Sequence, residues 1–510
     1  MKLSDLLKNV DVSYSGVDPE CEITQISSDS RSILKGGLFI CIEGTRYDGH
    51  DFAADAISRG AAAVVVSDHT KIPENTPYAL VKNTRLAEAY VWDAWYGHPW
   101  QGMKVIAVTG TNGKTSTTFM IREIFRKSGE KVGVITTVRA MAGDNPIGTY
   151  GGSSVTDAAG AMTTPDPEYL YGAIYMMKQA GVKVLVFEAS SHALSQYKID
   201  PMKINTSVFT NLSEEHLDYH GTMDEYFRAK ARLCDLSECL VINADDPYIS
   251  KLSDMFGKEK RVVACSADST SPKHIGSDVT ALRRCELGLS GVEYIYFSDN
   301  AVFRLTCPIP GEFTVYNTLL ASAAAIETGA KAEDVRRALG ALRGIDGRLE
   351  KVDFGEDEPE FRVFIDYAHT PAALESLLKT VRNLRRRGQK ITLLFGCGGD
   401  RDRSKRRKMG AIASRLADFV IITSDNPRSE DPDEIISEIM SGIDREKPHA
   451  VIKSRREAII YAVSEARPGD IIILAGKGHE KYEIDRDGKK PFDEAVLVRE
   501  AVHKYRDPLN

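Results

Sequence analysis

A chain of 510 residues, 42% hydrophobic and 27% charged, is too apolar to be disordered and is long enough for about three domains at roughly 100–200 residues each. Its 66 basic and 73 acidic residues leave a net charge of −7, which argues against nucleic acid or a membrane surface as a wholesale partner. The eight cysteines (Cys21, Cys41, Cys234, Cys239, Cys265, Cys285, Cys307 and Cys397) are scattered without a C-x-x-C pair, which excludes a zinc framework or a disulfide scaffold and predicts free thiols in a reducing cytoplasm.

The start, Met1-Lys2-Leu3-Ser4-Asp5, carries charges where the apolar part of a signal segment would lie, and no apolar run approaches the roughly 20 residues that span a bilayer. A cytoplasmic protein without membrane insertion is expected. Short apolar runs then alternate with helical patterns, the mark of parallel α/β sheets. Residues 1–99 form a first α/β domain, with strands at Gly37–Ile42 and Ala61–Val66 and a helix at Phe52–Ser58. Tyr96–Gly102 reads as a linker.

A central domain over 100–332 opens with the strand Val105–Val108, followed by Gly110-Thr111-Asn112-Gly113-Lys114-Thr115 and a helix that stops at Gly129. Glycines let such a loop curl so that backbone N–H groups face phosphate oxygens; Lys114 adds charge and Thr115 a hydroxyl suited to Mg²⁺. The spacing is the shorter G-x-x-G-K-[ST], since Val108 stands at the first glycine position of the longer form. No Asn-Lys-x-Asp segment occurs, which excludes a switch GTPase. Further strands are expected at Val132–Thr136, Val184–Phe187, Ser207–Thr210 and Leu240–Asn243, before the small-residue helix Leu319–Thr328. Glu188 follows a strand and should face the ligand crevice, placed to hold Mg²⁺. His216, in the polar run Asn211–His220, is a candidate metal ligand. Lys230 reads, on composition alone, as an ordinary exposed lysine.

The last domain, 333–510, has strands at Val363–Asp366, Ile391–Phe395, Phe419–Thr423 and Ile471–Leu474, with helices near 371–385, 433–442 and 455–466. It looks doubly wound but carries no G-x-G-x-x-G after its first strand, so a dinucleotide is not implied. Arg401 follows a glycine-rich turn and should face the crevice, whereas Arg403, Lys405, Arg406, Arg407 and Lys408 read as a solvated helix start.

Thr109–Thr115, Thr163-Thr164-Pro165-Asp166, Glu188–His192, Asn211–His220 with Lys230, Asn243–Pro247, Gly347-Arg348 and Asp366–Pro371 resemble, in order and spacing, the motifs of the Mur ligase family. The resemblance runs from Asp29-Ser30-Arg31 to Gly476-Lys477-Gly478-His479-Glu480. It implies three domains: a small N-terminal α/β domain for a UDP-sugar, a central P-loop-type parallel-sheet domain for ATP, and a C-terminal Rossmann-like domain for an amino acid. The implied activity is an ATP-dependent, ADP-forming ligation in peptidoglycan synthesis through an acyl phosphate, with two Mg²⁺ and with cell wall and cell division roles. Asp29-Ser30-Arg31, Gly396–Asp402 and Asp425-Asn426-Pro427-Arg428 point to the branch that extends UDP-N-acetylmuramoyl-L-alanyl-D-glutamate at the γ-carboxylate. Arg428 favours meso-diaminopimelate over L-lysine; a folylpolyglutamate-type ligase and an inactive relative are the more distant alternatives.

The resemblance also implies roles. Gly110, Thr111, Asn112, Gly113, Lys114, Thr115, Ser116, Asn317, Arg348 and Asp366 would bind ATP, with Arg348 reaching phosphate from the domain junction. Lys114, Glu188, His216, Lys230 and Arg348 would be catalytic. Thr115, Glu188, His216 and Lys230, the last as a carbamate, would hold metal. Ser30, Thr163, Thr164, Ser190, Gln196 and Lys198 would bind the UDP-sugar-peptide, and Arg401, Asp425, Asn426, Pro427, Arg428, Gly476 and Glu480 the diaminopimelate. Thr314 and Lys198 depart from the residues most relatives carry. The expected partners are these small molecules alone, bound by a monomer.

Overall fold

The computed structural model describes all residues except 45–46, 148, 151–152, 155–161, 272, 275, 343, 356 and 507–510. The chain forms two compact units, the first made of 1–280, 297–301 and 316–337, the second of 281–296, 302–315 and 338–510.

In the first unit, a five-stranded sheet has the order Val12–Ser15, Tyr78–Val81, Ala63–Val66, Gly37–Ile40 and Gln25–Ser27, parallel except at its first strand. The expected strands and helix of the N-terminal region lie within a few residues of their sequence-based limits. The expected linker is ordered: buried Asp93 accepts from the His98 imidazole at 2.7 Å and the Trp100 indole at 3.0 Å. A second sheet runs Arg261–Ser266, Ser237–Asn243, Ile204–Phe209, Lys104–Thr109, Val184–Glu188 and Val132–Ile135, all parallel. Lys104–Thr109, Val132–Ile135, Val184–Glu188 and Ile204–Phe209 are wholly or nearly wholly buried, as apolar runs covered on both faces must be. Their registers put the carboxyl ends level: Glu188 pairs with Val108, and Phe209 with Thr109. The loops after those ends therefore share one edge, where ligands of such sheets bind. The small-residue helix is longer than expected, Glu312–Glu327, and so includes Asn317.

The second unit holds a sheet ordered Glu350–Lys351, Arg362–Asp366, Ile471–Ala475, Ile391–Phe395, Phe419–Ile422 and His449–Val451, parallel after its first strand. Asp366 and Phe395 both register with Ala475, so the segments after them, 367–371, 396–401 and 476–480, emerge together. The helices Pro371–Leu384, Pro432–Met440 and Arg455–Ser464 match expectation closely. A hairpin, Tyr482–Asp485 with Gly488–Pro491, was not anticipated.

One sequence reading is corrected here. Arg406 is not part of a solvated helix start: it is fully buried on the helix Ser404–Leu416, between Glu430 and Glu438. It repeats with Met409, Gly410 and Ala413 on the buried face, the three-and-four spacing of a helix packed against a core.

Candidate active site

The phosphate-type loop closes as its glycines require. Gly110 and Gly113 have φ of 143° and 84°, backbone that side chains rarely adopt. A Cβ on Gly110 would overlap the Thr210 hydroxyl, and one on Gly113 would lie 2.5 Å from the Asn317 amide oxygen. Asn317 is thereby set against the loop, and it also accepts from the Thr117 hydroxyl at 3.4 Å. The loop is tied to the next strand's end: Thr111 N–H donates to the Asn211 carbonyl at 2.8 Å and Asn112 N–H to the Asn211 side chain at 2.9 Å. Thr210 and Asn211, absent from the expected site residues, thus shape the loop; their place directly after a buried strand was the available signal. Lys114 Nζ donates to the Gly110 and Thr111 carbonyls at 2.9 and 2.8 Å, Thr115 is buried in the first helical turn, and Ser116 is half-buried beside it.

Lys230 is the largest departure from composition-based reading. It is 2% exposed on the helix Met223–Asp235, and its Nζ donates to the Gly110 carbonyl at 2.8 Å. Burial and then the nearby Lys114 charge push its pKa well below the ordinary lysine value. Tyr226, one turn earlier, lies 4.7 Å beneath its ammonium and approaches the Thr111 hydroxyl at 3.3 Å.

Glu188 is fully buried, and its oxygens accept from the Thr137 N–H at 3.3 Å and the Thr137 hydroxyl at 3.1 Å. The Thr137 hydroxyl also lies 3.2 Å from that of Thr163, while Thr164 donates to the Glu188 carbonyl at 2.8 Å and accepts from Ser190 N–H at 3.0 Å. The expected residues Thr163, Thr164, Glu188 and Ser190 therefore form one connected group, with Thr137 the member that the motif reading missed. Lys198 is buried and pairs with Asp166 at 2.7 Å; Gln196 caps the short helix Ser191–Ser195 that Ser190 begins. His216, at φ 56°, stands edge-on to His192 with ring centres 4.9 Å apart, and His220 lies 5.6 Å from His192. Burial, with the neighbouring His192, lowers the His220 pKa to about 4. Ser30 is buried in the N-terminal sheet region and bonds to Asp55.

In the second unit Gly347, Arg348, Asp366, Gly476 and Gly478 assemble around Tyr367. Arg348 lies 5.2 Å over the Tyr367 ring, and a Cβ on Gly478 would come within 2.7 Å of Tyr367. Asp366 accepts from Leu349 N–H at 2.7 Å and Ala368 N–H at 2.8 Å, so its carboxylate already shapes the backbone there. Burial raises its pKa, with Arg348 opposing that rise.

Asn426 is held from two sides. Its amide oxygen accepts from Lys477 Nζ at 2.8 Å and Ile484 N–H at 3.0 Å, so its NH₂ must point the other way, to Glu480 at 2.7 Å. Lys477 is fully buried, also donates to the Tyr482 carbonyl at 2.9 Å, and lies 3.5 Å from Asp425. Burial, then the Asp425 charge, raises the Glu480 pKa. Arg428, at φ 51°, donates to the Gly399 carbonyl at 2.8 Å. A Cβ on Gly399 would overlap the Pro427 carbonyl, and one on Gly476 would come 2.6 Å from Asp425. The structure thus joins Asp425, Asn426, Pro427, Arg428, Gly476 and Glu480. Arg401, on the glycine-rich turn, is exposed and donates to the Asp400 carbonyl at 3.2 Å.

Comparisons with known proteins can be set beside these two strand-end clusters. Family models match described as Mur ligase family, catalytic domain (residues 22–91), Mur ligase middle domain (108–325) and Mur ligase, glutamate ligase domain (347–478). The chain belongs to the Mur ligase family and is an ATP-dependent acid–amino-acid ligase. It is 38% identical to the UDP-N-acetylmuramoyl-L-alanyl-D-glutamate--2,6-diaminopimelate ligase of Geobacillus kaustophilus, over 98% of this chain and 99% of that one. The enzyme of the same name from Caldanaerobacter subterraneus subsp. tengcongensis is 39% identical, again over 98% and 99%. A solved structure under that name superposes with a TM-score of 0.69 at 29% identity, covering 99% of both chains.

Proposed function

We propose that the protein joins meso-diaminopimelate to the γ-carboxylate of D-Glu in UDP-N-acetylmuramoyl-L-alanyl-D-glutamate, using ATP. ATP phosphorylates the carboxylate, releasing ADP; the amine of diaminopimelate then attacks the acyl phosphate and phosphate leaves. The observation that carries this reading is the group of Asn426, Arg428 and Glu480 at adjoining strand ends, in a chain similar over nearly its whole length to ligases of that name. Diaminopimelate brings a second amino-acid head that lysine lacks. A guanidinium suits its carboxylate and Glu480 its ammonium; with lysine bound, the cation would be left unpaired, which disfavours it strongly.

Residues 1–99 take the UDP-sugar, 100–332 ATP and 333–510 the amino acid. Ser30, Thr163, Thr164, Ser190, Gln196 and Lys198 hold the sugar-peptide. The loop Gly110–Ser116, with Asn317, Arg348 and Asp366, binds ATP, and Arg401, Asp425, Pro427 and Gly476 complete the amino-acid pocket. The donor set fits Mg²⁺: Glu188 and Thr115 offer hard oxygens near the phosphate loop and His216 an imidazole. Lys230 as an ammonium cannot ligate a cation, but its depressed pKa supports a neutral amine able to add to CO₂ and lose a proton, giving a carbamate oxygen ligand. The two Mg²⁺ would neutralise charge on the phosphates and acyl phosphate. Nucleotide-activated substrates place the work in the cytoplasm; among the described residues no helix is long and apolar enough to cross a membrane.

The decisive measurement is ADP release with the UDP-muramoyl-dipeptide and a panel of amino acids. Release is expected to need both the dipeptide and meso-diaminopimelate. Equal release with L-lysine would overturn the specificity, and release without the UDP-sugar would favour a folylpolyglutamate-type substrate.

A further inference from the structure

Arg406 touches none of the residues proposed to contact the amino acid, yet it ties together the two loops that carry them. Its Nη2 donates to the Gly398 carbonyl at 3.2 Å and to Glu430 at 2.9 Å, while Nη1 reaches Glu430 and Glu438, each at 3.0 Å. Glu430 in turn accepts from the Asp400 N–H at 2.6 Å. One guanidinium, fully buried, thereby fixes the turn at Gly398–Arg401 against the segment Asn426–Glu430. Independent contacts mark the same seam. Ser429 donates to Asp400 at 2.6 Å, Gly399 N–H donates to the Asn426 carbonyl at 2.9 Å, and Arg428 reaches the Gly399 carbonyl.

We infer that Arg406 is a positioning residue for amino-acid recognition, holding Arg428 and Arg401 at the spacing the distal head of the substrate requires. The inference rests on the proposed diaminopimelate reading and deepens it. The physics favours a specific guanidinium over any cation. A lysine in its place would supply charge but not the planar fork that serves two carboxylates and a carbonyl at once. Arg403 also pairs with Glu430 at 2.6 Å and Glu438 at 3.6 Å, but it is exposed and makes no bond to Gly398, so it does not replace the buried fork. With the fork lost, Glu430 turns outward, Asp400 N–H loses its acceptor, and the two loops separate by the small distance that a bidentate contact does not tolerate.

The test is steady-state kinetics of Arg406→Lys, Arg406→Met and Glu438→Gln in the full-length protein, alongside wild type. Wild-type turnover with meso-diaminopimelate is the control: its absence would sink the proposed function and not this inference. Given that activity, Arg406→Met should raise KM for the amino acid by about tenfold or more, with KM for ATP and for the UDP-sugar-peptide within about twofold of wild type. Arg406→Lys should recover little of that loss. Glu438, a third exposed, can be changed without uncovering a core; Glu438→Gln should show the same one-sided rise, of about threefold. Glu438→Gln keeps the question answerable if the Arg406 variants do not fold. An unchanged amino-acid KM in the folded variants overturns the inference. So does a parallel rise in all three KM values with a lowered Tm, the mark of a merely structural role.

Discussion

The phosphate-type loop and the strand-end cluster of the second unit partner their basic side chains differently. At the phosphate loop, Lys230 gives its hydrogen bond to the neutral Gly110 carbonyl, and Lys114 bonds to the same carbonyl and that of Thr111. In the second unit the buried cations meet carboxylates: Arg406 with Glu430 and Glu438, Arg455 with Glu494 at 2.7 Å, Lys477 beside Asp425. A carbonyl satisfies a donor without cancelling its charge, so it suits a place where a polyanion or a chemical change will do the cancelling. A carboxylate neutralises the cation and leaves a rigid cross-link. The first arrangement suits the chemistry proposed for the phosphate-type loop; the second suits holding loops in register.

The sharpest way to break this contrast is at Lys230. Lys230→Ala should cost about a thousandfold in turnover while leaving the Tm near wild type, since a group used for charge stabilisation carries catalysis more than folding. Small carboxylates added in solution should restore part of the rate by standing in for the carbamate. A variant as active as wild type would remove Lys230 from the site and the contrast with it.

The cross-link half can be read through pH. Arg406 holds the Glu430 carboxyl down to about 2, below the ordinary glutamate value. A carboxylate whose folded pKa is depressed adds stability above its unfolded pKa, near 4.3, and loses it as pH falls toward the folded value. Wild type should therefore lose stability as pH falls from about 4.5 towards 2 and this carboxylate takes up a proton. Glu430→Gln should flatten that part of the acid-stability curve, measured by urea unfolding across the range. A curve of wild-type slope in the variant would show the clamp to be worth little.

Arg428 tests recognition directly. It stands at φ 51°, a conformation asparagine tolerates better than most residues, so Arg428→Asn removes the guanidinium without forcing the backbone. The ratio of kcat/KM for meso-diaminopimelate over L-lysine should fall by about a hundredfold, since a charged hydrogen-bonded pair is lost for one substrate only. An unchanged ratio would place the discrimination elsewhere.

How much of this was legible in the sequence follows from where each constraint lives. The parallel strands were readable because burial on both faces demands unbroken apolar runs, and Ile391–Phe395 is found as expected. The phosphate loop was readable because only glycine fits at Gly110 and Gly113. Lys230 and Arg406 were misread for one shared reason: composition treats a charge as exposed, but helix phase decides. Lys230 falls in step with Tyr226, Leu233 and Cys234, and Arg406 with Met409 and Ala413, so each occupies a core position of its helix. A charge in phase with an apolar stripe was the signal available in both cases. The Lys477 contacts left no such trace, because they join segments distant in sequence, and the exposure of Arg401 depended on a turn geometry that a glycine-rich pattern leaves open.

Lys477 gives the smallest expected effect and the finest distinction. Its ammonium and Ile484 N–H together fix which end of the Asn426 amide faces Glu480. In Lys477→Met one of those two donors is lost, while Ile484 N–H remains, so the amide is loosened but not freed. KM for the amino acid should rise about fivefold to tenfold, with KM for ATP unchanged, because one hydrogen bond to a positioned amide is at stake. If Lys477 instead acts on the phosphate side, KM for ATP would rise and the amino-acid KM would not. That result would move a buried lysine of the second unit into the class of Lys230, and carboxylate-paired cations would no longer set the Asn426 cluster apart from the phosphate-type loop.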